Sequence, residues 1–153
     1  MSRALVALAL LTAAVLTGCG GGESEEEKRA EQELRASGAP TPVCVDQVDN
    51  QVEVPASFPS AFPLPEGSVV YAALKRSEGR TIVYAVVDRD VKSVLTQMQD
   101  GPPAAGFEAT EGEVEERDAE SNWSGNGYTG RWAIREVAGC PEQTSVTVLS
   151  AKS

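Results

Sequence analysis

Two runs of opposite character stand back to back at the start of this chain, and together they withdraw its first forty-two residues from any folded core. Ala4 to Leu16 is apolar apart from Thr12 and carries no charge, with Arg3 as a short basic lead. A secretory apolar segment is roughly 7–15 residues long, whereas a spanning helix needs roughly 20. The run therefore reads as a signal segment. Behind it, Gly20-Gly21-Gly22 opens a stretch in which Glu23 to Arg35 is almost wholly charged and polar. Such a composition cannot bury a core, and an isolated helix that short is marginal in water. Ser37 to Pro42 closes the stretch. The sequence thus divides into a leader at 1–18, a flexible spacer at 19–42 and a single domain at 43–153.

The junction between the two runs carries a resemblance. Leu16-Thr17-Gly18-Cys19 resembles the lipobox of bacterial lipoproteins, and the match sits at the end of an apolar leader and ahead of a polar spacer. The resemblance implies thioether lipidation of Cys19 by a diacylglyceryl group and removal of residues 1–18, with further acylation of the new amino terminus left open. Two acyl chains hold a protein stably, at about 0.8 kcal/mol per buried CH₂. The expected location is therefore the cell membrane, lipid-anchored, on its extracytoplasmic face. Gly20 follows the cysteine where an Asp would resemble an inner-membrane retention signal.

Charge narrows the partners. Thirteen Lys and Arg against twenty-three Asp and Glu give −10, and loss of Arg3 with the leader makes the remainder −11. A nucleic-acid binder needs a basic patch, so that class is set aside. The same excess argues against electrostatic binding to anionic lipid and leaves attachment to the acyl chains.

Three cysteines are present. With Cys19 assigned to lipid by the resemblance, Cys44 and Cys140 have one possible pairing, and an oxidising compartment favours a disulfide between them. Two reduced buried thiols are the alternative. The chain has no histidine, which excludes Ser-His-Asp and Cys-His catalysis and HExxH zinc sites. Neither phosphate-binding glycine motif occurs, and Asp88-Arg89-Asp90 lacks the rest of a calcium loop. No cofactor and no metal site is expected.

Within the domain, Val43 to Val54 reads as an edge strand, and the prolines of Phe58-Pro59 and Phe62-Pro63-Leu64-Pro65 set an extended lead that forbids a central strand. Phe58, Phe62 and Leu64 are expected to lie across the core. Ser68 to Lys75 and Thr81 to Asp88 are Val-, Ile- and Tyr-rich around a Gly-containing turn, a hairpin signal. Asp88 or Asp90 caps a helix whose stripe is Val91, Val94, Leu95 and Met98, and which Asp100-Gly101-Pro102-Pro103 should stop. Phe107 to Glu120 reads as one acidic strand with its loop, and Ser121 to Gly127 as a hairpin connection turning at Asn126-Gly127. Tyr128 to Arg135 alternates as a strand, and Gln143 to Leu149 is the last strand. The predicted order is β-β-α-β-β-β, an α+β architecture with one helix on one face of an antiparallel sheet. From Phe62 to Leu149 this order resembles small lipoprotein domains of unknown function that open on a Phe-Pro-Leu-Pro-type lead, a resemblance that implies no catalytic residue.

Function is less legible. The preferred reading is a non-catalytic binding or accessory module of the cell envelope, with an envelope protein or glycan as partner and Asn122, Trp123 and Asn126 as the partner-binding loop, because aromatics in Gly/Ser/Asn loops often meet ligands. For Trp123 itself the favoured expectation is that it folds back onto its own sheet, with the partner-binding loop as the sharper alternative. Asn122-Trp123-Ser124 also matches a glycosylation sequon, which the bacterial resemblance discounts. The acidic run offers a weak Ca²⁺ surface. The alternative function is an envelope hydrolase with paired carboxylates, which needs one acid in an apolar pocket.

Overall fold

A computed structural model describes residues 38–153. The expected leader, Cys19 and the expected spacer up to Ser37 lie outside the described residues.

Six strands form one sheet: β1 (Val69–Lys75), β2 (Thr81–Val87), β3 (Glu108–Val114), β4 (Asp118–Gly125), β5 (Tyr128–Val137) and β6 (Cys140–Lys152). Every neighbouring pair is antiparallel, and the order across the sheet is β1-β2-β6-β5-β4-β3. The chain lays down the β1–β2 hairpin, crosses one face as helix α1 (Val91–Ala104), and returns along β3 to β6 as a meander. The last strand then closes against β2, pairing Thr81 with Ser150 and Val87 with Thr144. The class is α+β. The expected element order is corrected: it lacked one strand, and the spatial order is not sequential.

The missing strand lies inside the acidic run. That run breaks at Glu115-Glu116-Arg117, where Glu115 N–H donates to Asp118 O at 2.8 Å. Residues 118–125, in part expected to be a connection, form β4. Conversely, Val43 to Val54 is not a strand: it holds a 3-10 turn at Val45–Gln47 and a single ladder-like bond from Val52 N–H to Val70 O.

Local chemistry explains the helix. Asp90 caps it, accepting from Ser93 N–H at 3.0 Å. Val91, Val94 and Met98 bury one stripe, with Leu95 packed partly against it. The helix runs on through Pro102 and Pro103, past the expected stop. Both prolines lack a donor and so forgo bonds to Met98 O and Gln99 O, yet their fixed φ is helical and their carbonyls accept from Phe107 N–H at 2.9 Å and Gly106 N–H at 3.0 Å. Gly106 ends the run at φ +86°, a left-handed position that favours glycine.

The core lies between α1 and the inner face of the sheet. Val83, Ala85 and Val87 of β2, Trp132 and Ile134 of β5, and Val146 and Val148 of β6 supply its floor. The proline-set lead closes it as expected. Phe62 sits 4.7 Å from Trp123 and 5.2 Å from Phe107, ring centre to ring centre, and Phe58 meets Phe62 edge-on at 5.8 Å.

Candidate functional site

Trp123 is only 2% exposed. It stands on the inner side of β4, its ring perpendicular to Phe107 at 5.4 Å. Gly130 on β5 makes room for it, since a β-carbon there would overlap the indole and the Leu149 carbonyl. Alternation along a strand sends consecutive residues to opposite faces, so Asn122, Trp123 and Asn126 do not present one exposed loop. Trp123 points inward and Asn122 outward. Asn126 forms the β4–β5 turn with Gly127, both at positive φ (51° and 77°), as the Asn-Gly signal indicated. Its side-chain amide donates to Ala105 O at 3.0 Å, clasping the end of α1. The indole N–H of Trp123 is buried and has no hydrogen-bond partner.

What the fold leaves to solvent is the outer face of the sheet, and its two halves differ. On β3 to β5 it is polar. Arg131 pairs with Glu120 and Arg135 approaches Asp118 at 3.6 Å, while Arg117 in the β3–β4 turn bonds Glu136 at 2.9 Å at the end of the strands. Exposed pairs of this kind contribute about 0–1 kcal/mol each. A shallow cleft of about 300 Å³ opens here, lined by Glu111, Gly112, Glu113, Glu120, Ser121, Asn122 and Arg131. Glu111 and Glu113 are exposed, and Glu120 is held by Arg131, so this cleft has no carboxyl in an apolar pocket. The carboxylates of the acidic run are strung along an edge strand and a turn. Among the described residues no three His, Cys, Asp or Glu are gathered to hold a metal ion.

On β1, β2 and β6 the outer face is apolar. Tyr84 and Val86 are buried there although they point away from the helix. A second cleft, about 340 Å³, is lined by Ala39, Arg76, Ser77, Arg80, Ile82, Tyr84 and Leu149. Burial pushes the Tyr84 hydroxyl up, and Arg76 beside it pulls the other way. Tyr71, 6.4 Å from Tyr84 ring to ring, is pushed to about 12 by burial first and by Tyr84 second.

Ala39 belongs to the chain's incoming segment, which runs along this half of the sheet. It starts beside Arg76, to which a β-carbon on Gly38 would stand at 4.0 Å. It finishes at the far end of the strands, where Cys44 and Cys140 form a disulfide with Cα atoms 6.0 Å apart. Val45 N–H donates to Gln143 Oε1 there at 2.9 Å. Five or six extended residues cover about 20 Å, the same span as β6 from Leu149 back to Gln143. The disulfide thus pins a strap over the apolar half, and packed chain begins a few residues before the expected boundary at Val43.

Sequence reasoning placed the two cysteines together but missed Arg76, Arg80 and the cleft they border. Their signal was present only as charges flanking a hairpin turn. That β6 returns to this end is a long-range pairing that no local pattern announces.

No family model, no curated protein and no solved structure matches this chain.

Proposed function

We propose that this chain is a lipid-anchored, extracytoplasmic binding or accessory module of a bacterial cell envelope, attached through Cys19 and without catalytic residues of its own. The observation that carries the reading is the pinned strap. The Cys44–Cys140 disulfide suits an oxidising compartment. It also joins the incoming chain to β6, which is hydrogen-bonded on both edges, to β2 and β5. A load arriving from a membrane anchor then enters the middle of the sheet and not a peelable edge. Among the described residues no helix is long and apolar enough to cross a membrane. The surface offered to a partner is the polar outer face of β3 to β5, where Glu111, Glu113, Asn122 and the Glu120–Arg131 pair present hydrogen-bonding groups to a glycan or a polar protein surface.

Fractionation of a bacterial host tests this. The wild-type chain should pellet with membranes, resist high salt and alkaline carbonate, and be released by detergent. Cys19→Ala should carry no lipid and retain residues 1–18, read as intact mass. A wild-type chain found in the soluble fraction would sink the proposal.

A further inference from the structure

The folded domain's charges are polarised along the strands. Of its nine Lys and Arg, four (Lys75, Arg76, Arg80 and Lys152) are exposed at one end of the sheet, where β1 turns into β2 and β6 finishes. Lys75 pairs in register with Thr81, and Thr81 with Ser150, so these cations share one short edge of the sheet. Glu78 is the acid inside that turn, pairing with Arg80 at 3.0 Å; Glu108 opens β3 three strands away from β6, and Asp100 lies in the half of α1 that ends on this side. The opposite end is acidic, with Asp88, Asp90, Glu115, Glu116, Glu136 and Glu142 against Arg89, Lys92 and Arg117. The net charge of the whole chain conceals this polarity.

The incoming chain emerges at the basic end, with Gly38 beside Arg76 and Ala39 in the cleft that Arg76 and Arg80 border. Eighteen residues separate Cys19 from Gly38. Even fully extended, that distance is at most about 65 Å. The chain toward Cys19 thus leaves the domain from its basic end.

We infer that Lys75, Arg76, Arg80 and Lys152 form a docking surface for an anionic bilayer, which sets the strands upright on the membrane with the acidic end outermost. The inference rests on the anchored reading above: the acyl chains supply attachment, and the cations supply orientation. Each Lys or Arg near an anionic surface adds to the attraction, within a screening length of about 8 Å at physiological salt. The acidic end is repelled by the same surface, so both poles favour one orientation. The polar face of β3 to β5 then stands perpendicular to the membrane, open to partners from the side.

Amine footprinting reads this directly. The domain's lysines are Lys75 and Lys152 at the basic end and exposed Lys92 on α1 at the other. Lipidated full chain is reconstituted on phosphatidylcholine vesicles and on vesicles containing phosphatidylglycerol, floated, acylated and analysed by mass spectrometry. On the anionic vesicles Lys75 and Lys152 should react about tenfold more slowly relative to Lys92 than on the zwitterionic ones. High salt should erase the difference, and Arg80→Glu should reduce it. Flotation with both lipids and no difference in labelling overturns the inference and leaves the anchor intact. Equal protection on both lipids also overturns it, and assigns the basic end to the chain's own Glu23–Arg35 segment. Flotation with anionic vesicles alone supports the docking surface and removes the anchor. Flotation with neither removes both.

Discussion

Replacing Trp123 by alanine takes away the ring that Phe62 and Phe107 rest on, at centroid distances of 4.7 and 5.4 Å. Large-to-small changes of this kind cost about 3–5 kcal/mol, because the cavity cannot collapse fully. Gly130 beneath it has no side chain to move into the void. Against a total stability of about 5–15 kcal/mol, that is a large fraction. Trp123→Phe separates the ring from its polar atom. The indole N–H is buried without a partner, a state that costs about 1–3 kcal/mol, so phenylalanine removes that cost while giving up part of the packed area. The two effects oppose, and the net change should stay within about 1.5 kcal/mol. Urea unfolding followed by circular dichroism measures both variants. An exposed loop tryptophan would behave otherwise, since its truncation stays within about 0.5 kcal/mol. The reasoning is refuted if Trp123→Ala is that mild, or if Trp123→Phe costs as much as Trp123→Ala.

Three further outcomes follow from individual contacts. Replacing Cys44 and Cys140 together by serine should cost up to about 4.7 kcal/mol on the chain-entropy treatment for a loop near 100 residues, and should raise protease cutting between residues 38 and 48 before the rest of the domain opens. Asp90 is held below its ordinary 3.8 by the Ser93 hydroxyl and backbone N–H. Its contribution is fully present above that pH and fades as pH falls through the lowered value, so acid denaturation profiles of wild type and Asp90→Ala should converge below pH 3.8 and diverge above it. Tyr71, raised to about 12, keeps its proton in the fold while an unfolded tyrosine loses it near 10. Stability should thus decline between those two values, and absorbance titration of Tyr71→Phe should lack the late-ionising group.

Segments whose pattern is set by their own neighbours were legible in the sequence. The β1–β2 hairpin, the Val91-Val94-Met98 stripe and the alternation of Trp132 with Ile134 each declare a face within a few residues. β4 did not, because its inward positions include the small residues Ala119 and Ser121 and its outward ones are Asp118, Glu120 and Asn122, which together read as a continuous acidic loop. The reach of β6 was also hidden. Its buried Thr144 and Ser150 look polar, yet Thr144 donates to Arg89 O at 2.7 Å and Ser150 to Thr81 O at 3.4 Å, satisfying hydroxyls that the sequence alone leaves unpaired. Of the expected site, the cysteine pair was readable from composition and compartment. The inward turn of Trp123 depended on Gly130, a partner one strand away.

Mass spectrometry of the N-terminal peptide from chain purified out of native membranes bears most directly on how the molecule is held. The account predicts a first residue at Cys19, carrying a thioether-linked diacylglyceryl group, ahead of Gly20. A peptide that still contains Leu16-Thr17-Gly18, or an unmodified thiol at residue 19, would contradict it.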